Sequence, residues 1–290
     1  MKLLSILLLV FSLCLNLPAG SKKLEFELSA GYSLSKPSEL YYRATGIGSL
    51  IQQYTSLYSA DFQSDGEFKE KLPLIPIQFS VNYPVANRFY VKAGLEYASG
   101  QNTGEMSFQF SRNGLTENHV YGLENKISYL MPFVGAETRV SPSIGLYVLL
   151  GLNMAKWSHA YRFDYSENGY TEAIEETIDV SGSTMAVLIG GKYMIKVGKK
   201  GKLLLKAEYL YAKLGGLSGD KTGTGSNSLG EHFSETVEGM PYTFRMDPYG
   251  LGSFLFWDLY ETEPGTAWIQ NAREMSLDIS SIRFMIGFSF

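Results

Sequence analysis

Hydrophobic and polar positions alternate with a period of two through most of the chain, the spacing of strands with one face in an apolar setting. Eight runs stand out. The first sets Leu24, Phe26, Leu28, Ala30, Tyr32 and Leu34 against Glu25, Glu27, Ser29, Gly31 and Ser33. The second sets Ile75, Ile77, Phe79, Val81 and Tyr83 against Gln78, Ser80 and Asn82. The third sets Phe89, Val91, Ala93, Leu95 and Tyr97 against Tyr90, Lys92, Gly94 and Glu96. The fourth sets Leu130, Pro132, Val134, Ala136 and Thr138 against Tyr129, Met131, Phe133, Gly135 and Glu137. The second half repeats the scheme. Ile144 to Met154 form the fifth apolar face, and Met185 to Val197 the sixth, with Lys192 and Lys196 opposite. Leu203, Leu205, Ala207, Tyr209 and Tyr211 form the seventh, with Lys206 and Glu208 opposite. Ile282, Phe284, Ile286, Phe288 and Phe290 form the eighth, with Arg283, Met285, Gly287 and Ser289 opposite.

None of these apolar faces carries a charge. A membrane barrel requires that, because a charge on the lipid face costs about 2–4 kcal/mol at the bilayer midplane. A soluble sandwich also alternates, but two further features favour a barrel. The connections alternate between short (84–88, 139–143, 198–202) and long (35–71, 100–126, 156–183, 215–275), as short periplasmic turns and long outer loops do. Aromatics gather at the strand ends. Tyr32, Tyr97 and Tyr211 lie at one end, and Tyr83, Phe89, Phe288 and Phe290 at the other, as two interfacial girdles would.

The first residues bear on the compartment. Lys2 precedes an almost wholly apolar stretch, 3–15, and the small residues Ala19, Gly20 and Ser21 follow. This reads as a cleavable signal peptide over 1–21, since the run is shorter than the ~20 residues of a spanning helix. The expected domain is a barrel over 22–290. Composition agrees: charged residues are 19% of the chain and aromatics 14%, low and high respectively for a soluble protein. Cys14, inside the signal, is the single cysteine, so no disulfide is expected. There is no polybasic run, and nucleic acid is not an expected partner.

The final run, ending on Phe290, resembles the C-terminal signal of outer-membrane barrels. With the signal peptide and alternating loops, the chain is similar to the small eight-stranded barrels of the OmpA, OmpX and OmpW type. That resemblance implies an antiparallel up-and-down transmembrane barrel in a bacterial outer membrane. It also implies contact with outer-membrane lipid, and reading of the last strand by the barrel-assembly machinery. Eight strands are expected; the 215–275 connection is long enough to hide a hairpin and make ten.

An eight-stranded lumen is only wide enough for side chains to fill. Its charges, Glu25, Glu27, Lys92, Glu96, Glu137, Lys192, Lys206, Glu208 and Arg283, are therefore expected to pair across it. The same balance also suits a narrow polar path for a small solute. The favoured function is structural or surface-interactive, the second a narrow channel or carrier, the third a lipid-modifying enzyme. The three histidines, His119, His159 and His232, show no Ser/His/acid spacing, and read as solvated loop residues in or beside long loops. No cofactor or metal is expected. Glu172, Glu175, Glu176 and Asp179 read as a solvated acidic stretch of the third loop, and 215–230 as a flexible Gly-rich loop. Phe254, Phe256, Trp257, Tyr260 and Trp268 crowd the fourth loop, as a ligand or partner surface, as a small core folded over the barrel mouth, or as a patch against lipid headgroups.

Overall fold

A computed structural model describes residues 24–58, 61–112, 114–199, 201–248, 250–266 and 268–290. The signal-peptide reading of 1–21 lies outside them. In chain order the elements are β1 (Glu25–Ser35), helix α1 (Tyr42–Tyr58), β2 (Asp61–Glu67), β3 (Leu72–Ala86), β4 (Phe89–Arg112), β5 (Leu115–Ser141), β6 (Ile144–Glu167) and β7 (Tyr170–Val197). There follow β8 (Gly201–Tyr211), β9 (Lys213–Leu214), β10 (Ser218–Asn227), β11 (His232–Met246), β12 (Phe254–Tyr260), β13 (Ile269–Glu274), β14 (Leu277–Asp278) and β15 (Ser281–Ser289).

Eight strands close into a ring. β1 pairs β3 on one side and β15 on the other. From β3 the pairing runs through β4, β5, β6 and β7, then through β8 back to β15. Every pair is antiparallel, so the fold is an up-and-down β-barrel of eight strands. These are the eight alternating runs of the sequence. The 215–275 connection adds none, because β10 to β13 join the sheet above the ring; the ten-stranded alternative is thereby corrected.

The alternation sorts each strand's two faces. Leu28, Tyr32, Ile77, Leu95, Val148, Ile189, Tyr209 and Phe284, among others, stand exposed on the outside. They form an apolar belt with Tyr32, Tyr97 and Tyr211 at its upper edge and Phe89, Phe288 and Phe290 at its lower edge. Opposite-parity residues are buried inside. The lower turns are tight; that joining β3 to β4 places Arg88 at φ 70°.

Above the belt four strands continue. β6 has 24 residues, about 80 Å along the strand at ~3.4 Å per residue, where ~9–11 residues cross a bilayer. At its tip Asn168 and Gly169 take φ 46° and 87°. Positive φ at both central residues is what a type I′ hairpin turn needs, and Asn-Gly meets it at little cost. β7 changes partner half-way: 187–197 pair β8, whereas 172–181 pair β10. β11 joins β10, β12 and β13 join β11, and β2 joins β4. The result is a curled upper sheet standing on the barrel.

Several loop expectations change here. The 35–71 connection holds α1 and β2. The acidic stretch 172–179 lies on β7, and 218–227 of the Gly-rich segment is strand β10. There Gly219 is required: a Cβ would stand 1.9 Å from the Asp179 carbonyl oxygen. His119 and His232 lie in strands β5 and β11. The helix was missed because α1 mixes small and polar residues on its outer side. Its apolar positions, Ala44, Ile47, Ile51 and Tyr54, do follow helical spacing. Ala44, Ile47 and Ile51 are buried, and α1 packs against β12 inside the curled sheet.

Candidate functional site

The barrel interior is the candidate site, and it has two layers. In the lower layer, inward positions of all eight strands meet in one polar network. Arg283 of β15 faces Glu208 of β8 in register. Its guanidinium donates to Glu208 Oε2 at 2.8 Å, to Glu96 Oε2 at 3.0 Å and to the Tyr129 hydroxyl at 3.1 Å. Tyr129 donates to Glu96 Oε1 at 2.8 Å and Tyr147 to Glu208 Oε1 at 2.5 Å. Gln78 Nε2 donates to Glu96 at 3.1 Å, and its Oε1 accepts from Lys206 Nζ at 2.9 Å. Lys206 lies 3.2 Å from Glu27. Glu27 also accepts from Lys92 at 2.5 Å, from Asn82 at 2.7 Å, and from Lys192. Lys192 reaches Glu137 at 2.6 Å.

At the lower rim Arg139 joins Glu137 to Glu25, and Lys202 lies 3.1 Å from Glu25. The structure thus brings together all nine lumen charges named from the sequence. It adds Arg139 and Lys202, which had been assigned to turns. Both continue the inward parity of their strands, Glu137 to Arg139 and Lys206 to Lys202, and that signal would have found them.

Most of these charges are buried, while Glu25, Arg139 and Lys202 at the lower rim are partly exposed. Arg283 is 0% exposed, as are Lys92 and Glu96. Isolated charges in such a place would be very costly, so near-complete pairing is the condition for the strands to close. The neutral donors Gln78, Asn82, Tyr129 and Tyr147 serve carboxylate lone pairs that the cations leave unfilled.

The upper layer is aromatic and apolar. Leu74, Ile127, Leu188, Leu210 and Leu277 form a collar above the charges. Over the collar, Trp157 and His159 project from β6 and Trp257 from β12; Trp157 and His159 meet the Trp257 ring at centroid distances of 4.8 and 4.7 Å. Asn125 Oδ1 accepts from Trp157 Nε1 at 3.2 Å and from His159 Nδ1 at 2.9 Å. Trp257 Nε1 donates to the Leu40 carbonyl at 3.2 Å. Arg43 of α1 lies 4.6 Å from the Tyr161 ring and 5.4 Å from that of Trp257, and pairs with Glu176 of β7. Cation–π contact and a carboxylate together hold this buried guanidinium.

Burial disfavours the Arg43 charge, but Asp258 and Glu176 outweigh it and raise the pKa. Burial, joined by the Arg43 charge, holds His159 well below its ordinary value. His159 is therefore a neutral core residue and not a solvated one, a correction to the sequence reading. His119 is part-buried, 3.4 Å from Glu117, among Phe110, Phe163 and Tyr165.

The five fourth-loop aromatics do not share one surface. Trp257 is 0% exposed, Phe254, Phe256 and Tyr260 are half-buried, and Trp268 is 44% exposed. Phe256 and Tyr260 pack around Phe244. Of the acidic stretch, Glu176 is engaged by Arg43, and Asp179 is exposed on the outer face.

No protein-family model matches the chain, and no curated protein matches it. Among solved structures it is similar to the outer membrane protein OprG from Pseudomonas aeruginosa, at 13% identity and TM-score 0.32, covering 93% of this chain and 96% of that one. It is also similar to the translocator domain of the autotransporter NalP from Neisseria meningitidis, at 7% identity and TM-score 0.23, covering 100% and 95%. The RagAB peptide transporter follows at 11% identity and TM-score 0.17, covering 93% of this chain and 44% of that one. The assignment of a barrel rests on the closed strand pairing and not on these weak likenesses.

Proposed function

We propose that the chain is an outer-membrane barrel with a closed lumen. Its role is to anchor and present the folded sheet above the membrane, not to conduct solutes. Membrane placement is supported by the uncharged apolar belt and its aromatic edges. The observation that carries the closed lumen is the network centred on Arg283, which bridges Glu96 of β4 and Glu208 of β8 across the barrel with no exposed surface. A solute path would need water-width space where these groups sit in contact. The apolar collar and α1 close the interior again above them.

Single-channel recording of the refolded protein in a planar bilayer tests this reading. The expected result is a silent bilayer, together with a heat-modifiable band on a gel that reports a folded barrel. Discrete, reproducible openings from protein that shows that band would overturn it and establish a channel.

A further inference from the structure

The curled sheet ends on an open edge. β10 and β11 form its last hairpin, and 232–239 of β11 run beside β10 in unbroken register from Ser226↔His232 to Gly219↔Gly239. At the turn the Asn227 amide donates to the Glu231 carbonyl. Directly bonded pairs alternate along an antiparallel ladder. Phe233, Glu235, Val237 and Gly239 therefore turn their backbone groups to β10, and Ser234, Thr236 and Glu238 turn theirs the other way. Lower down, the Met275 amide donates to the Pro241 carbonyl on the β10 side, which leaves the other side of 240–246 to β12. β12 stops at Tyr260. Among the described residues no strand continues its line along 232–238.

Proteins commonly blunt such edges with proline, lysine, a bulge or shortness. The sequence His232 to Gly239 holds no proline and no lysine, and its register has no bulge. The opposite edge of the sheet, β2, has 7 residues and carries Gly66 at φ 89°. An open edge is a template for a further strand, and adding an extended peptide there is a recognised binding mode.

Charge selects the occupant. On the outer face Asp179, Asp220 and Glu238 stand opposite one another in one row across β7, β10 and β11, and like charges directly opposite destabilise a sheet. Lys221, the one lysine of 218–239, lies on the inner face and pairs with Glu235 and Asp258. Glu261 follows directly where β12 leaves the edge, its backbone nitrogen 2.9 Å from the place of a Gly239 Cβ. A second copy of the chain would set the same acids against these.

We propose that 232–238 of β11 binds an extended, lysine- or arginine-rich segment of a partner protein as one further antiparallel strand, in line with β12. Its backbone bonds the free groups of Ser234, Thr236 and Glu238. Its cationic side chains lie on the outer face, one of them beside Glu238 and facing the carboxylate row. Its alternate side chains lie on the inner face, over Phe233, which is 47% exposed, and Val237. This rests on the presenting role proposed above, and gives that role a partner.

The test uses the full chain refolded in detergent micelles and a fluorescein-labelled ten-residue peptide alternating lysine and threonine, with binding read by fluorescence anisotropy. Saturable binding is expected, and a peptide alternating glutamate and threonine is expected to show none. With lysines on the outer face, it is their amides that reach β11. N-methylation of the lysine amides should weaken binding about tenfold, equivalent to ~1.4 kcal/mol, whereas N-methylation of the threonine amides should not. Thr236→Pro removes an edge N–H at a place where proline is tolerated, and should weaken binding to a similar degree, as should Glu238→Lys. Heat-modifiability checks the fold of each variant, and the two methylated peptides decide the matter on wild type alone. A heat-modifiable wild type that binds no peptide, or binds both methylated peptides equally, overturns the strand-addition site and leaves the closed barrel standing. Concentration-dependent dimers that Thr236→Pro dissolves would put a second copy on the edge and overturn it too. A chain that shows no heat-modifiable band overturns the membrane reading itself.

Discussion

Replacing Arg283 with methionine removes the cation on which two buried carboxylates depend, while keeping an apolar side chain of comparable length. Arg283 donates to Glu96, Glu208 and Tyr129, and all three acceptors are buried. Glu208 would keep the Tyr147 hydroxyl and Glu96 would keep Tyr129 and Gln78. Neither would keep a direct ion pair. Removing one partner of a buried charge pair costs ~3–5 kcal/mol, mostly the penalty of the charge left behind. At 1.4 kcal/mol per factor of ten, that is roughly a hundred- to several-thousand-fold in the folding equilibrium. Urea titration in detergent micelles, read as loss of the heat-modifiable band, measures it. The triple variant Arg283→Met/Glu96→Gln/Glu208→Gln removes the unpaired charges as well and is expected to recover most of the loss. An Arg283→Met protein within ~1 kcal/mol of wild type would refute the argument. So would a triple variant no more stable than the single one.

Three further outcomes are expected. His159 has a folded pKa below its ordinary 6.5, so below that pH the unfolded chain binds the proton more readily than the folded one. The contribution is intact above pH 6.5 and is lost as pH falls toward the folded pKa, by up to about 1.4 kcal/mol per pH unit. Tryptophan fluorescence during unfolding at pH 7 and pH 5 reports it, and a His159→Gln protein whose difference between the two pH values equals that of wild type would contradict it. Trp257→Ala empties the fully buried centre of the upper layer at a cost of ~3–5 kcal/mol. Amide exchange should quicken in α1 and β12 while the belt strands stay protected; quickening spread evenly over all strands would count against two separable layers. Gly219→Val places a side chain against the Asp179 carbonyl oxygen and should part β10 from β7. Limited proteolysis should then cut within 218–246, and an uncut β10–β11 segment would show that the close approach is not needed.

Strand identity was readable because a period-two pattern on a strand states which residues face out. A lipid-facing residue and a lumen-facing residue differ sharply in what they tolerate, so parity alone listed the lumen charges. Carried two residues further along β5, and through Leu204 to the start of β8, it would also have included Arg139 and Lys202. Above the belt that rule reaches only part of the sheet: alternation at 107–110 and at Tyr161, Phe163 and Tyr165 reads as strands rising past the bilayer, as β4 and β6 do, but elsewhere both faces meet water, protein or both. His119, Glu176 and 218–227 then look like loop sequence although they are paired strands.

The sequence by itself determined the barrel class, the uncharged exterior and most of the inward charges, since each follows from local alternation and from the high energy of a charge in lipid; that the ring has eight strands and not ten needed the closed pairing. Tertiary structure alone decided how those charges join into one network across eight strands, because a pairing partner is a matter of register and closure. It alone also decided that α1 carries Arg43 into an aromatic enclosure with Tyr161, Trp257 and Glu176. Those residues stand more than a hundred positions from Arg43 along the chain, and only packing inside the curled sheet brings them within reach.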